Sequence, residues 1–175
     1  MTILNMDSIR GPMFETQKSG DHHTFAWRKT QLTQLQTLVS KHQSDFVDAL
    51  YADLHKESTE AMYSEILLVL SEIQRFLVDL PTWMKPETVS SLAAMAPSYC
   101  EVRRMPLSPP GCLIIGPFNY PMSLALLPVI GALAGGNPVV LKPSELSKNV
   151  SALFAKLVPQ YFDKGVFQGM LEVYS

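Results

Sequence analysis

The apolar positions change period along the chain. From Leu32 to Leu54 they recur every three or four residues, at Leu32, Leu35, Leu38, Val39, Phe46, Val47, Leu50, Tyr51 and Leu54. That is the spacing of one helical face. The run is longer than an ordinary helix and its middle, Ser40 to Ser44, is polar, so a break or bend is expected there. A second helix is predicted from about Thr59 to Leu80, on Ile66, Leu67, Val69, Leu70, Ile73, Phe76 and Leu77. Pro81 should end it, because the ring removes a donor and clashes with the preceding turn. Further on, the short runs Leu113-Ile114-Ile115 and Val139-Val140-Leu141 suit strands buried on both faces. Between them Pro121 stands where a first helical residue would, and Gly135-Gly136-Asn137-Pro138 supplies a helix stop. Strand, helix and strand with such short joints predict a βαβ unit with a right-handed crossover.

The rest of the chain fills in around that unit. Residues 1–20 mix polar side chains with Gly11, Pro12 and Gly20 and are expected to form a mobile arm, with Asp21 able to cap the helix that follows. Thr82 to Pro97 reads as a connector containing proline, and Ser98 to Arg103 as a weakly alternating strand. The proline-rich Ser108 to Gly111 is an awkward join before the next strand. Ser147 can cap a helix through about Phe162, with Leu153, Phe154, Leu157 and Val158 on one face, and Val166 to Tyr174 suggests one more strand. The expected class is α/β, with N-terminal helices followed by the first half of a doubly wound parallel sheet.

Composition narrows the partners. The chain has 175 residues, is 47% hydrophobic and carries a formal net charge of −2. No basic stripe is present, which argues against nucleic acid or an anionic membrane surface. Cys100 and Cys112 form neither a metal nor a disulfide pattern, and His22-His23 point to different faces of a helix rather than to a metal. His42 and His55 sit on helical patterns with no partner in view. The most apolar window, Met122 to Gly136, is too short for a membrane span and is interrupted by Pro128 and Gly131. With no leader-like segment at the N-terminus, a cytoplasmic protein with reduced thiols is expected.

GPFNYP, followed by GALAGGNPVVLKPSELS, resembles the aldehyde dehydrogenase superfamily, nearest its class 3 or fatty-aldehyde branch. The Ala49–Lys56 run, the Ser64–Ile73 helix and Trp83 to Pro86 fit that branch too, so the resemblance covers nearly everything from about Arg28 onward. It implies a truncated, Rossmann-like, NAD- or NADP-binding fold that forms a homo-oligomer, a dimer, when intact. The implied division is an arm at 1–20, a helical part at 21–97, a strand and loop of an oligomerisation sheet at 98–110, and the first half of the cofactor domain at 111–175. The implied reaction is oxidation of an aldehyde to a carboxylic acid.

The same resemblance assigns candidate residues. Asn119 would stabilise an oxyanion, although by itself it reads more readily as a turn former. Tyr120 would line a substrate tunnel, or belong to the core. Lys142 and Glu145, at the end of the second strand, would hold a ribose, or form a solvated pair beside a helix start. Ile115, Gly116, Pro117 and Phe118 would floor the cofactor. The family's nucleophile and general base lie in a segment this chain is not expected to contain, and both cysteines are expected to be structural. Two readings therefore stay open: the N-terminal part of an aldehyde-oxidising enzyme, or a truncated homologue that binds nucleotide or associates with an intact subunit.

Overall fold

The computed structural model describes residues 6–92, 94, 97–107 and 111–169. Two long helices, α2 (Phe25–Lys41) and α3 (Gln43–Leu54), come from the first amphipathic run and break at His42, inside the polar stretch. The break is clasped from afar. His42 Nδ1 lies 2.7 Å from Asp45 Oδ2, and its Nε2 lies 3.1 Å from the Tyr161 hydroxyl. Thr24, not Asp21, caps α2, its hydroxyl accepting from Trp27 N–H at 3.2 Å.

The second helical run is interrupted. A short α4 (Ser58–Ala61) passes into a π-helical turn, Met62–Ile66, and then into α5 (Leu67–Trp83). Pro81 sits in the last turn of α5 instead of ending it. Helical bonding continues past the ring, from Met84 N–H to Leu80 O. A proline so near the end removes a single bond from the ladder, and the exposed turn absorbs it.

A two-stranded antiparallel sheet follows, β1 (Glu87–Val89) against β2 (Cys100–Val102), every residue of it exposed. The strand expected over Ser98–Arg103 is therefore present at its centre, while β1 lies where a connector was expected. Three parallel strands, β3 (Cys112–Ile115), β4 (Val139–Lys142) and β5 (Phe167–Gly169), make the main sheet in that order. They are joined by α6 (Ser123–Ala134) and α7 (Lys148–Tyr161). The part of the last expected strand beyond Gly169, and residues 108–110 of the expected awkward join, lie outside the described residues.

One face of this sheet meets the helices. Ile114, Val139, Leu141 and Phe167 share a core cluster with Leu126, Val129, Ile130 and Leu133 of α6 and with Phe154, Leu157 and Val158 of α7. Helices α2, α3 and α5 extend the same cluster through Leu35, Phe46 and Ile73. On the other face, among the described residues, the N-terminal segment packs against the sheet. Where a mobile arm was expected, α1 (Met6–Ser19) buries Ile9 and Met13 against Val140. Those two apolar residues are one helical turn apart, a stripe too short to outweigh Gly11 and Pro12 in a reading of the sequence, yet enough to dock on the sheet.

Two expectations about buried detail change. Leu113 and Ile115 were expected to be covered on both faces, but they are 62% and 68% exposed. They point to the face of Val140, and nothing among the described residues reaches far enough along β3 to cover them. Ser147 stands at the start of α7 without a capping side-chain bond. The Asp53 carboxylate of α3 does that work, accepting from Asn149 and Val150 N–H at 2.9 Å each. A carboxylate there also complements the helix dipole.

Gly136 shows why the joint after α6 needs glycine. Its φ is +80°, and a Cβ would stand 2.5 Å from His22 O. Beside it the buried Arg28 guanidinium donates to His22 O and Ala134 O, both at 3.1 Å, tying α2 to the end of α6.

Candidate functional site

The carboxyl ends of parallel strands are where open α/β sheets receive ligands. Here the ends of β3 and β4 are held side by side. Ile115 registers with Lys142, and Gly116 N–H donates to Lys142 O at 2.9 Å. Gly116 is wedged closely, since a Cβ on it would lie 3.2 Å from Ala125 Cβ and 3.8 Å from Pro143 Cα. The chain then runs outward through Pro117, Phe118, Asn119 and Tyr120, all exposed, before Pro121 and Met122 turn inward to start α6.

The candidate residues fall into two groups on these ends. Ile115, Gly116, Pro117 and Phe118 form the tip of β3 and the first part of the turn, with Asn119 and Tyr120 completing it. Lys142, the last residue of β4, and Glu145, just past it, face each other with Nζ 3.0 Å from Oε2. The backbone N–H of Glu145 itself, and then the Lys142 ammonium, hold the Glu145 carboxyl below the usual carboxylate range. The pair is partly open to solvent, and Coulomb attraction there is worth little by itself.

Tyr120 is neither core nor free. The Lys56 ammonium sits 3.7 Å above its ring centroid. Lys56 also donates to Glu65 Oε1 at 2.5 Å, and Glu65 is fully buried in the π-helical turn. The second oxygen of Glu65 accepts from Met122 N–H at 2.8 Å and Ser123 N–H at 3.1 Å. Reasoning from the sequence passed over both residues, although a signal was there. Ala61, Glu65, Val69 and Ile73 repeat at four-residue spacing, so Glu65 is a carboxylate inside an apolar stripe.

The thiols stand apart from the turn. Cys112 opens β3 at the end remote from Asn119, and burial pushes its thiol up. Cys100 lies exposed on β2, so the argument from a buried, inert thiol applies to Cys112 alone. His22 and His23 bring their ring centroids to 4.2 Å, with His22 buried and His23 exposed. Among the described residues no group of histidine, cysteine and carboxylate side chains has the arrangement of a metal site.

The aldehyde dehydrogenase family profile matches residues 13–173. The chain belongs to the aldehyde dehydrogenase family. It is 39% identical over 149 residues to the dimeric NADP-preferring aldehyde dehydrogenase of Canis lupus familiaris, covering 85% of this chain and 32% of that one. It is 41% identical over 157 residues to aldehyde dehydrogenase family 3 member B3 of Mus musculus, covering 90% of this chain and 32% of the relative. Among solved structures, the substrate-bound state of Staphylococcus aureus AldH superposes with a TM-score of 0.87 at 30% identity, over 97% of this chain and 36% of that one. An Escherichia coli NADP-dependent enzyme superposes with a TM-score of 0.77 at 23% identity, over 94% and 34%, and shows the fold alone. The chain spans about a third of the length of the aldehyde dehydrogenases it matches. Among the described residues no helix is long and apolar enough to cross a membrane.

Proposed function

We propose that the chain supplies the oxyanion and ribose contacts of an NAD- or NADP-dependent aldehyde dehydrogenase that oxidises aldehydes to carboxylic acids. The observation that carries this reading is the pairing of two strand ends: β3 delivers the exposed Asn119 turn, and β4 delivers the Lys142–Glu145 pair beside it. An ammonium and a carboxylate held together offer donors and an acceptor to a vicinal diol, which is what a ribose presents. The buried Gly116 lets Ala125 of α6 pack closely on the β3 tip, which fixes the turn beside the end of β4. The residues present therefore fit a nicotinamide dinucleotide, with Ile115, Gly116, Pro117 and Phe118 beneath it and Lys142 and Glu145 on its ribose. Bound there, it supplies the hydride acceptor.

The part played by this chain's own side chains is electrostatic. As a nucleophile adds to the aldehyde carbonyl, negative charge collects on oxygen, and the Asn119 amide donates a hydrogen bond to it. Tyr120 would lie along the path of the aldehyde. Neither Cys100 nor Cys112 is offered as the nucleophile, since β3 spans roughly 3.3 Å per residue and Cys112 lies at its far end. The family reaction thus needs a thiol and a base from outside these 175 residues. The 98–110 segment, with β2 near its start, would belong to an oligomerisation sheet in the cytoplasmic, dimeric enzyme. A second reading, a homologue that associates with an intact subunit, draws on the exposed Leu113 and Ile115 of the edge strand β3.

The test uses a chimera in which residues 13–173 replace the matching N-terminal third of the dog enzyme. Asn119→Ala is expected to lower kcat about 100- to 1,000-fold, the usual loss for one preorganised oxyanion donor, with dinucleotide affinity unchanged. Unaltered kcat would remove Asn119 from the mechanism.

A further inference from the structure

The turn that carries Asn119 is gripped from the helical part of the chain by a buried ion pair that the proposed reaction does not use. Glu65 is fully buried, and leaving a carboxylate there is costly unless its oxygens are satisfied. Each oxygen has its own task. Oε1 accepts from Lys56 Nζ, and Oε2 accepts from the N–H groups of Met122 and Ser123. Those two amides open α6, where unpaired donors and the positive end of the helix dipole favour an anion. Lys56, itself buried, neutralises the carboxylate and places its ammonium over the face of Tyr120. The pair therefore holds the chain at Tyr120, Met122 and Ser123, immediately beyond Asn119. Glu65 stands within the π-helical turn, Met62–Ile66. Such turns occur frequently at functional sites.

We infer that Lys56 and Glu65 are positioning residues that orient the Asn119 amide through the Tyr120–Ser123 segment. The inference rests on the oxyanion reading of Asn119. Neither side chain is offered as touching substrate or cofactor. A pair serving stability alone would hold α4 and α5 to α6 but leave the Asn119 amide indifferent to its loss, and that difference can be measured.

The first test uses the 175-residue chain itself. In Glu65→Gln, Met122 and Ser123 amides are expected to exchange with deuterium at least tenfold faster, while amides in α2 and α3 keep their protection. In Lys56→Met the Asn119 side-chain NH2 resonances are expected to shift towards those of a solvated amide, and in Lys56→Arg to stay near the parent. Unchanged exchange at Met122 and Ser123, or an Asn119 signal blind to Lys56→Met, overturns the proposal. The second test is a double-mutant cycle in the chimera. Lys56→Met is expected to lower kcat at least tenfold with dinucleotide affinity within twofold, and Lys56→Arg to recover most of that loss. In the Asn119→Ala background, Lys56→Met should cost less than twofold more. Full additivity would overturn the positioning role while leaving the oxyanion reading intact; an Asn119→Ala enzyme with normal kcat would sink both.

Discussion

β3 and β4 lie side by side, in register, and are built from the same kinds of residue, yet they live in different surroundings. Val139, Val140 and Leu141 are all buried, whereas two of the four residues of β3 are mostly exposed. Both strands present one face to α6 and α7. On the other face, Ile9 and Met13 of α1 reach Val140 but not its neighbours Leu113 and Ile115. Burial of a strand is thus set by what lies above it, and an apolar run reports only that the strand tolerates being covered. The two ends differ as well: β3 opens into a turn with a neutral amide, and β4 into an ion pair.

The largest expected contrast is in stability. Leu141→Ala should cost about 2–5 kcal/mol, from lost burial and a cavity in the shared core. Leu113→Ala, the same change one strand away, should stay within about 0.5 kcal/mol, as exposed substitutions do. Urea unfolding of the chain checks both, and equal losses would mean that the open face of β3 is covered in solution.

The strand ends give the next contrast. Lys142→Ala or Glu145→Ala in the chimera should weaken dinucleotide binding by about 1–3 kcal/mol through a lost hydrogen bond to ribose. Both should leave kcat close to the parent value, the reverse of the Asn119→Ala result. Titration with NADH and NADPH by fluorescence measures this, and undiminished affinity in both variants would make the pair a surface ion pair without a ligand.

The smallest effect concerns the other end of α6. Burial first, and then the neighbouring His23 and Arg28, hold the His22 imidazole below its ordinary value. The unfolded chain therefore takes up this proton before the folded one does. Stability from neutral His22 is complete above about pH 6.5 and declines as pH falls from there towards the lowered folded value, by at most about 1.4 kcal/mol per pH unit. Chemical denaturation of parent and His22→Gln at several pH values between 7 and 5 should show a steeper decline for the parent; parallel curves would exclude the imidazole as the cause.

What could be read from the sequence follows from range. The β3–α6–β4–α7 unit was legible because period, proline and glycine act locally, and the resemblance drew its residues from that same stretch. The polar break at His42 was visible, but not the clasp to Tyr161, which is distant in the chain. Asp53 carries no local sign of its role, because the start of α7 that it caps lies far downstream. Lys56, between two helices, carries no local signal, and the apolar stripe around Glu65 marks a buried carboxylate without showing that Met122 and Ser123 meet it. Of the candidate residues, the sequence placed every one on or beside a strand end, and it was silent on what holds the turn between them.

The π-helical turn has a consequence for the spacing of the chain. An α-helix turns about 100° per residue, so a wider turn acts as one inserted residue whose angular offset is absorbed locally. Deleting a single residue between Met62 and Ile66 would let α4 and α5 fuse into one regular helix, and would swing everything on one side of the deletion by about that angle. Either Glu65 would leave the start of α6, or Val69 and Ile73 would leave the core. The segment from Lys56 to Ile73 is therefore fixed in length as well as in composition, and homologous chains that keep this carboxylate should align through it without a gap.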